Sequence, residues 1–173
     1  MSRYEYDKTR DTTPEHGDEE AVFEEYLRNR GLKFTAARKQ LLHKIFEMHD
    51  HFTADQLLDR LKQNDLRVSK ATVYRTLSVM LDCGLLVSHD FGEGALYYEH
   101  THGHSSHHHM FCLGTKRILE FKSPEVDERL RKVAEDMGFE PLAISVKIYG
   151  LSREFAASDD PAGGAPSVAN RPL

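Results

Sequence analysis

The chain has 173 residues, 39 % of them hydrophobic, with 23 Lys and Arg against 28 Asp and Glu. This length supports one or two small domains and excludes a large barrel, and an apolar share below the roughly 45–50 % usual for globular chains points to polar tails around a compact middle. No apolar run approaches the roughly 18 residues of a membrane span, and the N-terminal MSRYEYDKTRDTTPEHGDEE has no signal-peptide core. Two cysteines, Cys83 and Cys112, cannot build a disulfide framework. The expectation is a cytoplasmic protein without a membrane partner. Of the 11 histidines, six fall between His100 and His109.

The net charge of −5 is unevenly spread. Residues 1–29 carry four Lys/Arg against nine Asp/Glu, residues 30–83 ten against six, and residues 84–173 nine against thirteen. A basic middle fits a phosphate footprint, and equally a solvated surface.

In chain order, residues 1–18 are expected to be a disordered acidic tail. Val22, Phe23, Tyr26 and Leu27 form the first helical stripe, closed by Gly31 as C-cap. Leu41, Leu42, Ile45, Phe46 and Met48 form the second. Thr53-Ala-Asp-Gln56 fits a capping box opening a third helix with Leu57, Leu58 and Leu61. Ser69 caps a fourth, with Val73, Leu77, Met80 and Leu81 inward and Gly84 beyond its end. Leu85–Val87 and Ala95–Tyr98 flank Phe91-Gly-Glu-Gly94 as a β-hairpin. Helices followed by a hairpin outline a winged helix-turn-helix over 19–99, with 100–106 as hinge.

The next region, 107–152, reads as a small α/β domain. Strands are expected at His109–Leu113, Arg117–Phe121 and Leu142–Ile148, the last with Leu142, Ile144, Val146 and Ile148 on one face. Between the last two strands, Ser123-Pro124-Glu125 starts a helix carrying Val126, Leu130, Val133 and Met137 and ending at Gly138. A domain this small is marginal alone and gains by pairing with a second copy. Residues 153–173, rich in Ala, Gly, Pro and Ser, are expected to be a disordered tail. The fold class is therefore α+β.

Residues 54–82 supply a short helix, a break at Asn64–Val68, and a helix opening Ser69-Lys-Ala-Thr-Val-Tyr-Arg75. Lys70, Thr72, Tyr74 and Arg75 lie in its first two turns, where Arg can fork to a guanine edge or a phosphate and a Tyr ring can touch a thymine methyl. The pattern alone also fits an ordinary amphipathic helix. Further on, His107 and His109 share one face of a strand while His108 points to the other. Glu99 ends the hairpin and His51 precedes the third helix. Two or three imidazoles with a carboxylate suit Fe²⁺, Mn²⁺ or Zn²⁺. His102 and His104 read as a solvated polar linker, and His43, His49 and His89 as isolated surface or core histidines.

Gly31-Leu-Lys-Phe-Thr35, Arg38, Ala71-Thr-Val-Tyr-Arg-Thr-Leu77 and Gly84-Leu-Leu resemble the N-terminal half of the ferric uptake regulator family. His107-His-His-Met-Phe-Cys112 with Arg117-Ile-Leu-Glu-Phe121 resembles its dimerisation half, in one continuous order over residues 19–152. The resemblance implies a metal-responsive, homodimeric repressor, not an enzyme, that binds a pseudo-palindromic A/T-rich DNA operator. Tyr74 and Arg75 would enter the major groove and Lys33 the minor groove, with Arg38, Ser69, Lys70 and Thr72 also on the DNA side.

By the same resemblance His51, Glu99, His107 and His109 hold the regulatory metal, most simply Fe²⁺ with Mn²⁺ or Zn²⁺ as substitutes, and Glu120 matches a fifth ligand. His100 adjoins Glu99 as a further donor. Two departures stand out. The paired CxxC motifs of many members are missing, since Cys112-Leu-Gly-Thr115 and Ser152 occupy their places, so a four-cysteine zinc site in one chain is excluded by count. Cys112 and Cys83 are then expected to pack as small apolar residues. A second family site reads Ser106, His108, Asp127 and Ile144, leaving His108 and Asp127, aided by His104. Peroxide-, zinc-, manganese- or haem-responsive regulation stays open within the family. Outside it, a zinc hydrolase has no HExxH pattern here, and a histidine-rich metal carrier leaves residues 54–82 unexplained.

Overall fold

The computed structural model describes residues 17–48, 50–101 and 107–156. Most of the two expected tails, together with His49, His102, His104 and Ser106, lies outside the described residues. The described residues fall into two units, one running through Thr101 and the other starting at His107.

The first unit contains α1 (Gly17–Asn29), α2 (Ala36–Phe46), β1 (Phe52–Thr53), α3 (Ala54–Gln63), α4 (Lys70–Asp82), β2 (Leu86–Asp90) and β3 (Leu96–His100). Helices α2, α3 and α4 start where the sequence offers a side-chain acceptor for orphan backbone N–H groups. Thr35 accepts from the Arg38 N–H, and Ser69 from the Thr72 N–H. Thr53 and Gln56 form the reciprocal capping box at α3. Helices α1, α3 and α4 also stop alike, on a left-handed residue at Gly31, Asp65 and Gly84. Beyond α4, Gly84 at φ +77° lets Leu85 N–H reach the Met80 carbonyl at 3.0 Å and its own N–H reach Leu81 at 3.0 Å, a Schellman closure. In the turn between α3 and α4, Asp65 takes the same left-handed conformation at φ 55°, while Leu66 N–H bonds the Leu61 carbonyl at 2.9 Å.

Phe23, Leu27, Leu41, Leu42, Ile45, Leu57, Leu61, Val73, Leu77 and Met80 fill one helical core. Against it packs one face of a three-stranded sheet in the order β1-β3-β2, through Phe52, Leu86 and Tyr98. β3 is antiparallel to both neighbours, with Phe52 opposite Tyr98 and Val87 opposite Glu99. This is a winged helix. The two-residue β1 was absent from the sequence reading, being too short to show an alternation.

The second unit comprises β4 (His108–Cys112), β5 (Ile118–Phe121), α5 (Pro124–Asp136), β6 (Lys147–Gly150) and α6 (Arg153–Ala156). Its sheet runs β5-β4-β6, with β4 antiparallel to β5 and parallel to β6. Ser123 caps α5 with Pro124 in its first turn.

The expected strand over Leu142–Ile148 is displaced. β6 starts only at Lys147 and Leu142 is 97 % exposed. The cause is register: Lys147 pairs with His109 and Val146 accepts from the His109 N–H, so residues further upstream lie past the start of β4 and have no ladder to join. The apolar stripe of α5 is also uncovered within the chain, since Leu130, Val133 and Met137 are all exposed. Residues Arg153–Ala156, expected as tail, form the short α6.

Cys112 is buried, yet it does not behave as a simple apolar residue. Its Sγ accepts from the Ser152 N–H at 3.2 Å and the Thr115 N–H at 3.5 Å. Burial pushes the thiol up, but the Thr115 and Ser152 donors together outweigh it and bring the thiol down to about 6. Gly114, in the same turn, lies under the Phe155 ring so closely that an added Cβ would meet ring atoms at 2.4 Å. Cys83 does conform to expectation: burial raises its thiol, and its Sγ contacts the Met80 carbonyl at 3.4 Å.

Candidate metal centre and nucleic-acid interface

In the first unit the β1-β3-β2 register decides which side chains meet. Phe52 and Tyr98 face the helical core, so their neighbours His51 and Glu99 face the other way. Val87 is opposite Glu99, which places His89, two residues on, diagonal to Glu99 on that same face. The imidazoles of His51 and His89 converge on one carboxylate oxygen: His51 Nε2 is 3.2 Å and His89 Nε2 3.1 Å from Glu99 Oε2. The side chains are nearly shut off from water, at 5 %, 14 % and 7 % exposure for His51, His89 and Glu99. Phe91, fully buried, stacks on the His89 ring at 5.9 Å and fixes its plane. A carboxylate removed from water needs a compensating positive charge, which either a protonated imidazole or a cation supplies.

The second unit holds a comparable set. His107 and His109 lie on one face of β4, with their Nε2 atoms 3.2 Å apart, and Glu120 of β5 is opposite His109. His107 Nε2 is 3.9 Å from Glu120 Oε2. His108 points to the other face, 1 % exposed, against the Phe121 ring at 5.0 Å. Its Nε2 is 3.1 Å from Asp127 Oδ1, an ion-pair distance without hydrogen-bond alignment. His108 and Asp127 therefore meet as the sequence suggested. His104, offered as their helper, is outside the described residues, and Ile144 is apolar.

The donor set in each unit fits a first-row divalent ion. At metal–ligand bonds of about 2.0–2.2 Å, neighbouring donors in tetrahedral or octahedral shells are about 2.8–3.6 Å apart. The spacings of 3.2 and 3.1 Å around Glu99 and 3.2 Å between His107 and His109 fall in that range. His100 is buried on the core side instead, stacked on Phe46 at 5.1 Å. His89 was missed by sequence reasoning because a lone histidine carries no spacing signal. A turn confined to Phe91–Gly94 would have set Glu99 on the face away from His89. The connection found here runs through Ala95, with Asp90 opposite Leu96, and that one-residue shift of register brings His89 and Glu99 to one face.

On the helix-turn-helix, Tyr74 is 43 % exposed and Arg75 is exposed, its Nε donating to the Ala71 carbonyl at 3.1 Å. Lys70 Nζ sits 3.1 Å from Asp55 and 5.7 Å from the Tyr74 ring centroid, which joins the start of α4 to that of α3. The Ser69 and Thr72 hydroxyls bond each other at 2.8 Å. Arg38 Nη1 donates to the Lys33 carbonyl at 2.6 Å and so holds the loop that displays the exposed Lys33 side chain. None of these residues belongs to the helical core.

A winged helix with an exposed Tyr-Arg pair, joined to a small α/β unit and with His/carboxylate clusters in both, defines a metal-responsive transcriptional regulator. Comparison with known proteins supplies the family. The ferric uptake regulator family model matches residues 29–149. The ferric uptake regulation protein of Campylobacter jejuni is 33 % identical over 131 residues, covering 75 % of this chain and 83 % of that protein. The ferric uptake regulator of Pseudomonas aeruginosa, solved with manganese, superposes with a TM-score of 0.63 at 30 % identity, covering 76 % of this chain and 98 % of that one. That of Francisella tularensis, solved with iron, gives 0.67 at 26 % identity over 73 % and 96 %. The chain belongs to the ferric uptake regulator family. No helix among the described residues is long and apolar enough to cross a membrane.

Proposed function

We propose that this protein is an iron-dependent homodimeric repressor that binds a pseudo-palindromic A/T-rich operator when its metal site is filled. The observation that carries the reading is the pair of preorganised donor sets: His51 with Glu99 in the winged helix and His107 with His109 in the α/β unit are each spaced like one edge of a coordination shell, and Glu120 stands just beyond that spacing, 3.9 Å from His107. When bound, a divalent ion supplies bonds that tie donors of both units to one centre. His51 and Glu99 with His107 and His109 would together hold it, and such shared ligation would favour whichever conformer offers all the donors, in this account the DNA-competent one. A regulatory coupling of this kind needs no catalytic group.

Tyr74 and Arg75 read bases in this account, Lys33 enters the minor groove, and Lys70, Ser69, Thr72 and Arg38 orient the reading elements. The exposed Leu130, Val133 and Met137 of α5 support pairing with a second copy, and two-fold pairing demands a palindromic operator. The imidazole–carboxylate donors suit Fe²⁺, Mn²⁺ and Zn²⁺ alike, and iron is the reading that the ferric uptake regulators among its relatives support. The test is fluorescence anisotropy of a labelled A/T-rich palindromic duplex titrated with protein in Mn²⁺ or in EDTA. Tight binding only with metal is expected. Equal binding in both would refute metal dependence, and no binding in either would refute the DNA-binding assignment. Within the same assay, His107→Ala is expected to abolish the metal response while leaving the fold intact.

A further inference from the structure

The winged-helix unit contains more of the cation site than the proposed function uses. His51, His89 and Glu99 each offer a ligand atom, these atoms lie within 4.8 Å of one another, and all three residues are in one unit. We infer that His89 is a metal ligand, and that His51, His89 and Glu99 form a three-donor cradle which captures the cation before the α/β unit engages it. This inference rests on the proposed metal-dependent function.

Three observations support it. First, both imidazole Nε2 atoms address the same oxygen, Glu99 Oε2, at 3.2 and 3.1 Å, so the donors already surround one small volume. Second, the cradle is rigid for a reason independent of any ion. Glu99 is in the central strand, His89 in a neighbouring strand of the same antiparallel sheet, and His51 directly before the third, while the buried Phe91 ring packs beside that of His89. Third, an imidazole used only as core packing has no need to bring its nitrogen to a buried carboxylate, and an apolar residue would fill the position on Phe91 without burying a polar atom. Three donors in one folded unit hold a cation without help. The donors of the α/β unit then add affinity and couple it to closure, so capture and closure are separable steps with separate residues.

The experiment uses the full-length chain and Co²⁺ alone as probe, following the visible d–d spectrum during titration. The variants are His107→Ala/His109→Ala, His89→Ala, and the three substitutions combined, each checked by circular dichroism in EDTA. His89→Gln replaces His89→Ala should the latter fail to fold. The double variant is expected to keep one Co²⁺ with a weakened affinity and an altered spectrum. Adding the His89 substitution should lower that remaining affinity by a further factor of at least about 10–100, the range seen when even an outer partner of a metal ligand is removed. Loss of all Co²⁺ binding in the folded double variant would overturn capture by the winged helix, and an unchanged spectrum and affinity in the His89 variant would overturn its role as ligand. Operator binding by the unsubstituted chain in Mn²⁺ and EDTA, run in parallel, separates these failures from failure of the regulator reading itself. A chain that binds Co²⁺ through His89 without metal-dependent DNA binding keeps the cradle and loses the proposed function.

Discussion

Substituting Gly114 by Ala tests how the C-terminal helix is fastened to the α/β unit. The backbone at Gly114 is not left-handed, so the cost comes from space alone: the new methyl would lie 2.4 Å from Cδ1 and Cε1 of Phe155 and 2.5 Å from Cζ. No real contact is that short, and the ring must leave. Phe155 is half-buried on a four-residue helix. Its displacement should therefore cost about 1.5–2.5 kcal/mol, a half-share of the about 3–5 kcal/mol for truncating a fully buried Phe. The assay is a double-mutant cycle in urea followed by circular dichroism. Gly114→Ala is expected to destabilise the natural chain by that amount and to cost almost nothing in Phe155→Ala, where the ring is already gone. Equal costs in both backgrounds would refute the reasoning, because the methyl would then be meeting something other than Phe155.

Thr53→Ala removes the acceptor that the Gln56 N–H reaches at 3.2 Å, and should lower stability by about 1 kcal/mol in thermal or chemical denaturation. The Cys112 thiol, drawn from 9.0 to about 6 by its Thr115 and Ser152 donors against the opposing effect of burial, should show ultraviolet thiolate absorbance rising through pH 6. Its folded value is below its unfolded one, so the stabilisation it brings is complete above pH 9 and is lost as pH falls through about 6; Cys112→Ser should flatten that slope. Arg75→Ala should weaken operator binding by about 1–3 kcal/mol and relax sequence preference, whereas Lys33→Ala should weaken binding to all duplexes alike, as competition anisotropy would show.

Local chemistry made much of this legible in the sequence. Thr53-Ala-Asp-Gln56, Ser69 and Ser123-Pro124 announce helix starts because their side chains satisfy backbone groups within four residues, and Gly31, Gly84 and Gly138 announce ends for a similar local reason. The spacing of His107 and His109 gave their common face directly, and the structure puts their nitrogens together. What escaped was non-local. His89 reaches Glu99 through a hairpin register, and β6 is cut short by where β4 begins, facts that no window of neighbouring residues contains. Cys112 escaped for the same reason, since one of its donors is Ser152, forty residues away.

The parallel pairing of β4 with β6 also has a consequence for the order in which the chain is made. β4 and β5 are joined by a short turn, and their antiparallel pairing becomes possible once Phe121 has left the ribosome. The other edge of β4, from His109 to Cys112, waits for Lys147–Gly150. Until then a central strand carrying Met110 and Phe111 presents unpaired N–H and C=O groups to any other nascent chain, the condition under which edge-to-edge association begins. The winged helix has no such interval, since its last strand, β3, pairs on both sides with segments already made. Any interval between the emergence of Phe121 and that of Lys147–Gly150 from the ribosome therefore leaves one edge of the α/β unit's sheet open.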